Sequence, residues 1–424
     1  MTISGAVNAV AGIQTSVDSS PSWTVYHGDL EGSGVSTSIS GVSTSRRAWT
    51  SLRVDGEIYG EPLVAGADIF VATENDTVYS LSSTNGNVVW ARHLASPVPS
   101  SVLPCGDIRP FVGITGTPVI DTTRHEIFVV ADEYRDGAPA HVLFGLNTSS
   151  GSIEVQQNVD PSGAAPSALL QRTGLTLDAG QVVFGMGGND GDCATYRGRV
   201  VAVPETGGSP KFFTVDASSI ESQGAIWMGG AAPVVDSRGN IWVGVGNGSV
   251  SSVSEGYDDS DSALELSPSL SLLQYFAPSD WRENNAEDLD MSVPPTLLSD
   301  GDVLLSGKSR IAYLLNGSHL GGIGGQLGEL GSLCDEDIDG GTAVVNTTVF
   351  LPCLAGTVTV DVGGSPPSLH LVWSSDVGGG PPIVAAGLVW TISQAGVLYG
   401  LDPSNGEIKQ QASVGEIANH FPTP

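Results

Sequence analysis

The feature that most constrains the fold is an internal repeat. One unit recurs along the chain: a proline or small residue, an apolar strand, a polar turn, a second strand ending in leucine, then a glycine turn and a third strand. The clearest copy runs from Pro62 to Leu94, and Pro382 to Val414 repeats it closely. Apolar and polar residues alternate within each copy, as half-buried antiparallel strands require. A single hairpin cannot bury its own apolar face, so the units must stack on one another.

Seven such hairpins follow one another along the chain. Because four-stranded units arranged around an axis are the usual way to stack them, the sequence predicts an all-β fold, a β-propeller of four-stranded blades. Helical pattern is nearly absent, with one short helical turn expected within Ser279 to Asp288. The five further copies lie at 117–151, Thr173 to Pro204, 232–269, 294–318 and Gly341 to Val362.

The two ends of the sequence suggest how the ring closes. Arg47 to Val54 has the pattern of an outer strand with no hairpin before it, and residues 420–424 resemble the start of another repeat. These features favour an eight-bladed design whose last blade is incomplete. The alternative is a complete seven-bladed ring with a C-terminal tail. We expect residues 1–45 to form an N-terminal extension and residues 46–424 a single propeller domain.

Charge and hydropathy exclude two classes of partner. The chain has 46 acidic and 16 basic residues and a formal net charge of -30. Such a surface repels phosphate backbones, so we expect no nucleic-acid partner. It could hold divalent cations, but solubility is the favoured explanation. No apolar run reaches the roughly 18 residues of a membrane span. No signal peptide is visible in this chain, so an export signal would have been removed or not included.

Four cysteines, Cys105, Cys193, Cys334 and Cys353, set an expectation about compartment. None forms a metal- or haem-binding pair motif. An even number in a chain poor in lysine and rich in serine and threonine indicates two disulfides and an oxidising, extracytoplasmic location, periplasmic or secreted. Three pairings are open. The pairing Cys105–Cys193 with Cys334–Cys353 is favoured, because the latter two flank one predicted blade.

The repeats resemble those of pyrroloquinoline quinone (PQQ) enzymes and their non-enzymatic relatives. The shared pattern, Leu-Asp-x-x-x-Gly before a tryptophan strand, reads here Leu81 to Gly86 followed by Trp90. Segments such as LPCGDIRPFVGITGTPVID and DWRENNAEDLDMS are similar to those of bacterial PQQ-like propellers. The resemblance covers nearly the whole chain from Trp23 onward. It implies the propeller fold, but these repeats serve both dehydrogenases and a non-catalytic outer-membrane assembly lipoprotein.

The enzymes of this family hold a planar quinone over a tryptophan, beside a calcium ion bound by Glu, Asn and Asp. The Trp227-Met-Gly-Gly segment is similar to theirs, which implies that Trp227 lies beneath PQQ. Asn247, in Val-Gly-Asn-Gly, would be a calcium ligand. Asp290 would be both calcium ligand and catalytic base, and Lys308 a catalytic residue that contacts the quinone. Asp190 or Asp192 would replace the missing metal-binding Glu.

Each of these residues also has a structural explanation. Trp227 could pack between blades, Asn247 could adopt a left-handed turn, and Asp290 could cap a turn. The loop Tyr257 to Asp261 places oxygen atoms at calcium-like spacing, but a solvated loop is the favoured interpretation. The chain also lacks the adjacent-cysteine disulfide and haem motif of many such enzymes.

Two functions therefore remain open. The first, placed slightly ahead, is a binding or scaffold propeller that presents its face to a protein, a polysaccharide or a small molecule. The second is a PQQ- and calcium-dependent quinoprotein dehydrogenase acting on an alcohol or sugar. The enzyme requires Trp227, Asn247, Asp290 and Lys308 to meet at one end of the central channel, and a scaffold does not.

Overall fold

The computed structural model of the protein describes residues 22–216, 223–252, 256–418 and 421–424. These residues form seven antiparallel sheets that correspond to the seven predicted hairpins, and we number them blades 1 to 7 in chain order. The predicted all-β propeller is thereby confirmed. The described α-helix, Trp281–Glu287, lies within the segment predicted to be helical.

Each blade has four strands in sequence order, the first nearest the central axis. The strands of blade 1 are Leu63–Ala65, Asp68–Ala72, Thr77–Ser82 and Val88–His93. Those of blade 2 are Val119–Asp121, Glu126–Arg135, Ala138–Asn147 and Ile153–Asn158. Those of blade 3 are Thr176–Asp178, Gln181–Gly188, Arg199–Pro204 and Lys211–Thr214. Those of blade 4 are Val234–Val235, Ile241–Val245, Ser262–Leu266 and Leu272–Ala277.

The remaining blades follow the same plan. The strands of blade 5 are Thr296–Leu297, Asp302–Leu305, Ala312–Asn316 and Gly328–Leu330. Those of blade 6 are Ala343–Val345, Thr348–Cys353, Gly356–Gly363 and Ser368–Ser375. Those of blade 7 are Ile383–Ala385, Leu388–Ile392, Val397–Leu401 and Ile408–Ser413. Short additional strands are Ser22–Trp23, Val35–Ser36, Val98–Pro99, Phe111–Val112, Leu169–Leu170 and Gly322–Ile323, and 3-10 turns cover Ser100–Val102, Pro166–Ala168 and Met228–Gly230.

Apolar clusters join neighbouring blades, because both faces of most blades are apolar. Six such clusters lie between the seven consecutive blades. The second blade shows the arrangement well: Phe128 and Leu143 pack toward blade 3, while Ile127 and Phe144 pack toward blade 1. Because successive side chains of a strand point to opposite faces, one hairpin packs against both neighbouring blades. This packing fixes the order of the blades around the axis.

A tryptophan placed over a glycine locks several blades to their neighbours. Trp90, on the outer strand of blade 1, covers Gly151 in the last turn of blade 2, and its Nε1 donates to the carbonyl of Thr148 at 2.8 Å. Trp373 of blade 6 covers Gly406 of blade 7 in the same way. A Cβ at Gly151 would lie 2.6 Å from the indole ring. Glycine is therefore required at this turn, where φ is also +66°.

The N-terminal part of the described chain crosses the ring. Carbonyls of Thr24, Leu30, Ser33 and Gly34 accept hydrogen bonds from the inner strands of blades 2, 4, 6 and 7, at 2.7 to 2.8 Å. Ser22–Trp23 pairs with blade 1, and Val35–Ser36 pairs with blade 7 in parallel. These residues fall in the predicted N-terminal extension, yet they form part of the propeller sheets. Residues 1–21 of that extension lie outside the described residues.

The described residues form seven complete blades, one for each predicted hairpin, and the eight-bladed design with an incomplete last blade stays a prediction. Arg47 to Val54, predicted to be an outer strand, forms no regular strand. Instead, this region runs from the outer edge of blade 7, where Gln410 Nε2 donates to the Val42 carbonyl at 2.8 Å, to blade 1. There Trp49 covers Gly86 and donates to the Ser83 carbonyl at 2.9 Å.

Candidate functional site at the channel end

A pocket of about 360 Å³ lies at the axis, at the end where the inner strands begin. Its walls come from the loops that lead into these strands: Tyr59, Arg172 and Asp339 each stand four residues before the inner strand of blade 1, 3 or 6. Three larger cavities have volumes of about 680, 560 and 480 Å³, and the first of them shares Tyr59 with the axial pocket. The lining residues of the axial pocket are Tyr59, Asp107, Ile108, Leu170, Arg172, Asp190, Trp227, Gly229, Asp290, Ser292, Lys308, Asp337, Asp339 and Phe421.

Four of the residues singled out in the sequence, Trp227, Asp290, Lys308 and Asp190, line this pocket. Asn247 adjoins it, because its backbone N–H donates to Asp290 Oδ1 at 2.7 Å. An enzyme requires these residues to lie together at one end of the channel, and the structure places them there. The roles assigned to these residues stay predictions.

Asp290 and Lys308 form a close ion pair in the pocket wall. Lys308 Nζ lies 2.5 Å from Asp290 Oδ2, and the Asp290 side chain is 1 % exposed. Burial raises the pKa of Asp290, and the neighbouring ammonium opposes part of that effect. Burial alone would lower the pKa of Lys308, but the Asp290 and Asp288 carboxylates outweigh it and raise it. The pair is thus a buried carboxylate held beside a permanently charged lysine.

The loop that carries Asn247 is fixed by the short helix. Asn285 Oδ1 accepts the N–H of Gly248 at 2.5 Å and the hydroxyl of Ser260 at 3.0 Å. Asn247 itself does not adopt the left-handed conformation considered for it. Its Oδ1 is buried without a hydrogen-bond partner among the described residues. An amide oxygen held rigidly and left without a donor is available to a bound cation.

The two candidates for the third metal ligand differ. Asp190 is exposed at the pocket edge. Asp192 is half-buried, and its Oδ1 is buried without a hydrogen-bond partner in the described part of the chain. Burial, with added repulsion from Asp290 and Asp288, raises the pKa of Asp192 to about 6. Asp190 therefore reaches the pocket, whereas Asp192 supplies a buried oxygen outside its lining.

Trp227 enters the pocket beside a run of glycines. Its ring is half-buried, and Nε1 donates to the carbonyl of Gly188 at 3.0 Å. A Cβ at Gly229 would lie 2.3 Å from Gly340 N, and one at Gly230 would lie 2.2 Å from Arg172 Nη1. Because neither glycine has a side chain, Gly340 at the entry to blade 6 can lie against Gly229, and Arg172 against Gly230. The sequence did not indicate these two contacts.

Arg172 and Asp339 are two of the pocket residues that the sequence did not indicate. The guanidinium of Arg172 lies 5.8 Å from the ring centres of Tyr59 and Phe421, and the residue is 9 % exposed. Burial raises the pKa of Asp339 to about 6, although the hydroxyl of Ser292 and Lys308 oppose the shift. The one sequence feature that could have identified them is their position, because both stand four residues before the inner strand of a blade.

The acidic loop Tyr257 to Asp261 is buried, contrary to our expectation that it is solvated. Asp258 is 3 % exposed and Asp261 is 0 % exposed. Both oxygens of Asp261 lack hydrogen-bond partners among the described residues, and burial raises its pKa well above the usual range. The helix Trp281–Glu287 and strand Ser262–Leu266 fold over this loop, and that packing is not visible in its composition.

Both favoured disulfides, Cys105–Cys193 and Cys334–Cys353, are present, so that pairing is confirmed. Cys105 stands two residues before Asp107, and Cys193 three residues after Asp190, and both of these aspartates line the pocket. The first disulfide therefore ties together two loops of the pocket wall.

The residues present can be tested against the cation and quinone that the resemblance implies. No group of three or more His, Cys, Asp or Glu side chains in the described ranges is arranged to hold a metal by itself. The side-chain oxygens left without a donor are Asn247 Oδ1 and Asp192 Oδ1, whereas the Asp290 carboxylate faces Lys308 and the Asn247 N–H. Amide and carboxylate oxygens are the ligand types that calcium prefers, so these residues fit a cation in kind.

The comparisons with known proteins agree with this geometry. Residues 41–243 match the family described as outer membrane protein assembly factor BamB. The quinohemoprotein alcohol dehydrogenase ADHIIG of Pseudomonas putida HK5 has 12 % identity and a TM-score of 0.69, covering 93 % of this chain and 72 % of that one. The quinohemoprotein alcohol dehydrogenase of Comamonas testosteroni has 14 % identity and a TM-score of 0.67, covering 93 % and 73 %.

A europium-containing methanol dehydrogenase has 13 % identity and a TM-score of 0.67, covering 93 % of this chain and 86 % of that one. No curated protein matches the sequence. At such low identity the likeness to solved structures concerns the fold. Seven blades around an axis define a β-propeller. The family match covers just under half of the chain, and the structural matches show that the chain shares the β-propeller fold of the quinoprotein dehydrogenases.

Proposed function

We propose that the protein is a quinoprotein dehydrogenase, which binds PQQ and calcium in the axial pocket and oxidises an alcohol or sugar. The observation that carries this proposal is the convergence of Trp227, Asp290 and Lys308 on one pocket, with Asn247 bonded to Asp290. Trp227 and Asn247 belong to loops of blade 4, and Asp290 and Lys308 to loops of blade 5, so they lie up to 81 positions apart in the sequence. Two neighbouring blades thus direct these side chains toward one pocket.

Asp290 is the proposed base. Its carboxylate is buried, so it is poorly solvated and accepts a proton more readily than an exposed aspartate. Lys308 keeps the carboxylate in place and supplies a positive charge at the pocket wall. In this arrangement Asp290 takes the hydroxyl proton of the alcohol, and Lys308 stabilises the negative charge that develops nearby.

Asn247 and Asp192 would hold the cation through their unpartnered side-chain oxygens, together with the Asp290 carboxylate. Trp227 offers an aromatic surface against which a planar ring system can stack. When bound, the quinone would accept the hydride equivalent and the cation would polarise its carbonyl. The pocket of about 360 Å³ falls within the usual size range of cofactor and ligand sites, roughly 300 to 1,000 Å³.

A second candidate function is a non-catalytic binding module at the propeller face. The observation that favours it is the match of residues 41–243 to an outer-membrane assembly family. The partner would then be a protein or a polysaccharide. Either function fits an extracytoplasmic location, which the two disulfides support. In the described ranges no helix is long and apolar enough to cross a membrane.

The test is a titration of the purified protein with PQQ, with and without calcium, followed by absorbance and by the melting temperature. The expected result is a calcium-dependent rise in melting temperature together with a changed quinone spectrum. Asp290→Asn and Asn247→Ala should each remove the calcium-dependent part. Asp300→Asn, in an exposed turn of blade 5, is the matched control and should behave like the native protein.

No change in spectrum or melting temperature with cofactor and calcium in excess would reject the dehydrogenase proposal. The binding-module candidate would then stand, and the search would turn to macromolecular partners.

A further inference from the structure

Arg172 is a buried cation in the wall of the axial pocket. The residue is 9 % exposed and belongs to the pocket lining. Its side chain forms no ion pair and no hydrogen bond with another described residue. None of its nitrogen atoms is fully buried without a partner, so they reach the open space of the pocket. The five N–H donors of its guanidinium are therefore available to a bound molecule.

Two aromatic rings and a glycine surround this guanidinium. Its central carbon lies 5.8 Å from the ring centres of Tyr59 and Phe421. Gly230 borders it as well, since a Cβ at that position would lie 2.2 Å from Arg172 Nη1. Aromatic rings attract a cation over their faces, but they provide no oxygen acceptor for its N–H groups. The rings thus hold the charge in place and leave its hydrogen-bonding capacity unused.

The backbone that carries Arg172 is fixed by its neighbours. Thr173 Oγ1 accepts the N–H of Gly185 at 2.8 Å. The N–H of Gly174 donates to the carbonyl of Gly230 at 2.9 Å. Because Arg172 extends from a rigid segment, its charge keeps one position in the pocket, and little further ordering is needed when a ligand binds.

Neighbouring charges do not neutralise Arg172. Burial lowers its pKa, and Glu74 and Asp107 offset only part of this effect. An arginine nevertheless stays protonated in a protein, so the positive charge persists. The other basic residue of the described lining, Lys308, is already paired, with its Nζ 2.5 Å from Asp290 Oδ2. Arg172 is therefore the basic residue of the lining that lacks a counter-ion.

We propose that Arg172 binds a carboxylate of the substrate, and that the substrate is a hydroxy acid such as a sugar acid. This inference rests on the proposed function, since it takes the axial pocket as the substrate site, and it adds the charge of the substrate. A carboxylate accepts two parallel hydrogen bonds from the fork of a guanidinium. The hydroxyl of the same molecule would face Asp290, the proposed base, in the same pocket.

The acidic residues of the pocket do not prevent such binding. Asp107 and Asp190 are exposed, so solvent and salt screen their repulsion of an anion. Arg172 is buried, where the attraction between opposite charges is screened much less. A neutral sugar or alcohol would leave the buried charge without a counter-ion, which is costly, whereas an acid supplies one. The pocket should therefore prefer an acid to a neutral molecule of the same shape.

The probes for the experiment are gluconate and sorbitol. Both are open-chain polyols of equal length, and they differ at one end, where gluconate has a carboxylate and sorbitol a hydroxymethyl group. Binding to the full chain is measured by titration calorimetry at neutral pH, without calcium or quinone. The expected result is saturable one-to-one binding of gluconate, at least about ten-fold tighter than that of sorbitol. This comparison uses the native protein and does not depend on any variant.

Variants then test whether Arg172 is responsible. Arg172→Met removes the charge and should weaken gluconate binding at least about ten-fold, with sorbitol binding unchanged. Arg172→Lys should recover only part of the affinity, because an ammonium lacks the planar fork. Arg46→Met, at an exposed position, is the matched control and should bind gluconate like the native protein. Circular dichroism checks that each variant is folded.

Three results would overturn the proposal. One is the absence of saturable gluconate binding, or equal binding of gluconate and sorbitol. Another is unchanged gluconate binding by folded Arg172→Met. The third is displacement of gluconate by PQQ added with calcium, because the site would then serve the cofactor rather than the substrate. A failure of PQQ to bind would reject the dehydrogenase itself, and the gluconate results are obtained without PQQ, so the two failures are distinguishable.

Discussion

Lys308 Nζ and Asp290 Oδ2 are 2.5 Å apart in the wall of the axial pocket. The backbone brings them together, since Lys308 N donates to the Asp290 carbonyl at 2.9 Å. A Cβ at Gly307 would lie 2.1 Å from that carbonyl, so glycine is needed just before the lysine. The charge pair is therefore a product of the local backbone path, and it can be tested without any cofactor.

Replacing Lys308 by methionine should destabilise the protein by about 3 to 5 kcal/mol at neutral pH, the usual cost of removing one partner of a buried ion pair. The pKa of Asp290 is already raised by burial, and it should rise further without the ammonium. A carboxyl with a raised folded pKa contributes most stability below its unfolded pKa and loses it as pH rises. The loss should thus be larger at pH 7 than at pH 4, as measured by urea unfolding.

The control for this prediction is the double variant K308M/D290N, which removes the isolated charge. It should be more stable than Lys308→Met alone at pH 7. Equal losses at both pH values would show that the two groups are not coupled.

His141 provides a second electrostatic prediction. Its Nδ1 lies 2.7 Å from Asp160 Oδ1 and its Nε2 3.3 Å from Asp132 Oδ1. Burial alone would lower the pKa of His141, but the two carboxylates raise it to about 10. This stabilisation is complete below the unfolded pKa of about 6.5 and is lost as pH rises through about 10.

The free energy of unfolding of the native protein should therefore fall between pH 8 and pH 10. His141→Gln should be less stable by about 3 to 5 kcal/mol at pH 6 and show a flatter profile in that window. His370→Gln, an exposed site on the outer strand of blade 6, is the matched control. Parallel profiles for native protein and His141→Gln would contradict the assigned charge.

The Trp90–Gly151 contact predicts a specific steric effect. Gly151→Ala adds a methyl group 2.6 Å from the indole at a φ of +66°, so we expect a loss of about 2 to 5 kcal/mol from overpacking and backbone strain. Gly137→Ala shares the positive φ, +85°, but meets no atom within 4 Å. It should cost only about 1 to 2 kcal/mol. Thermal unfolding of both variants measures the difference, and equal losses would rule out the contact as the cause.

The disulfide between Cys105 and Cys193 should matter for both stability and ligand binding. It closes a loop with a sequence separation of 88, and its removal in the double Cys→Ser variant should cost about 2 to 4 kcal/mol. Because the two loops it joins carry Asp107 and Asp190, ligand affinity at the pocket should fall as well. The Cys334–Cys353 double variant serves as comparison: if it lowers pocket affinity equally, the effect is global rather than local.

The repeat allowed most of the fold to be predicted. Alternation in Pro62 to Leu94 and its six copies reflects local strand physics, and each copy became a blade. The helix near Trp281 and both disulfides followed from similarly local signals. The crossing of the ring by residues 24–34 could not be predicted, because backbone carbonyls bond to four blades with no side-chain pattern to mark them.

The site residues that could be predicted are those in motifs shared with the PQQ enzymes. Trp227, Asp290 and Lys308 were found by their motifs, whereas Arg172 and Asp339 have none and lie in the pocket through the ring geometry. The burial of Asp261 was missed for a related reason: composition suggested solvation, but a helix from a distant segment covers it. Burial of a charged loop depends on tertiary packing.

The N-terminal segment that crosses the ring also joins distant parts of the sequence mechanically. Tyr26 and His27, stacked with ring centres 4.2 Å apart, are buried within it. The Gly341 N–H donates to the Tyr26 hydroxyl at 3.2 Å, and the His27 ring bonds the Thr342 carbonyl at 2.9 Å, which ties the segment to the entry of blade 6, 315 positions later. Force applied to this segment would therefore act on several blades at once.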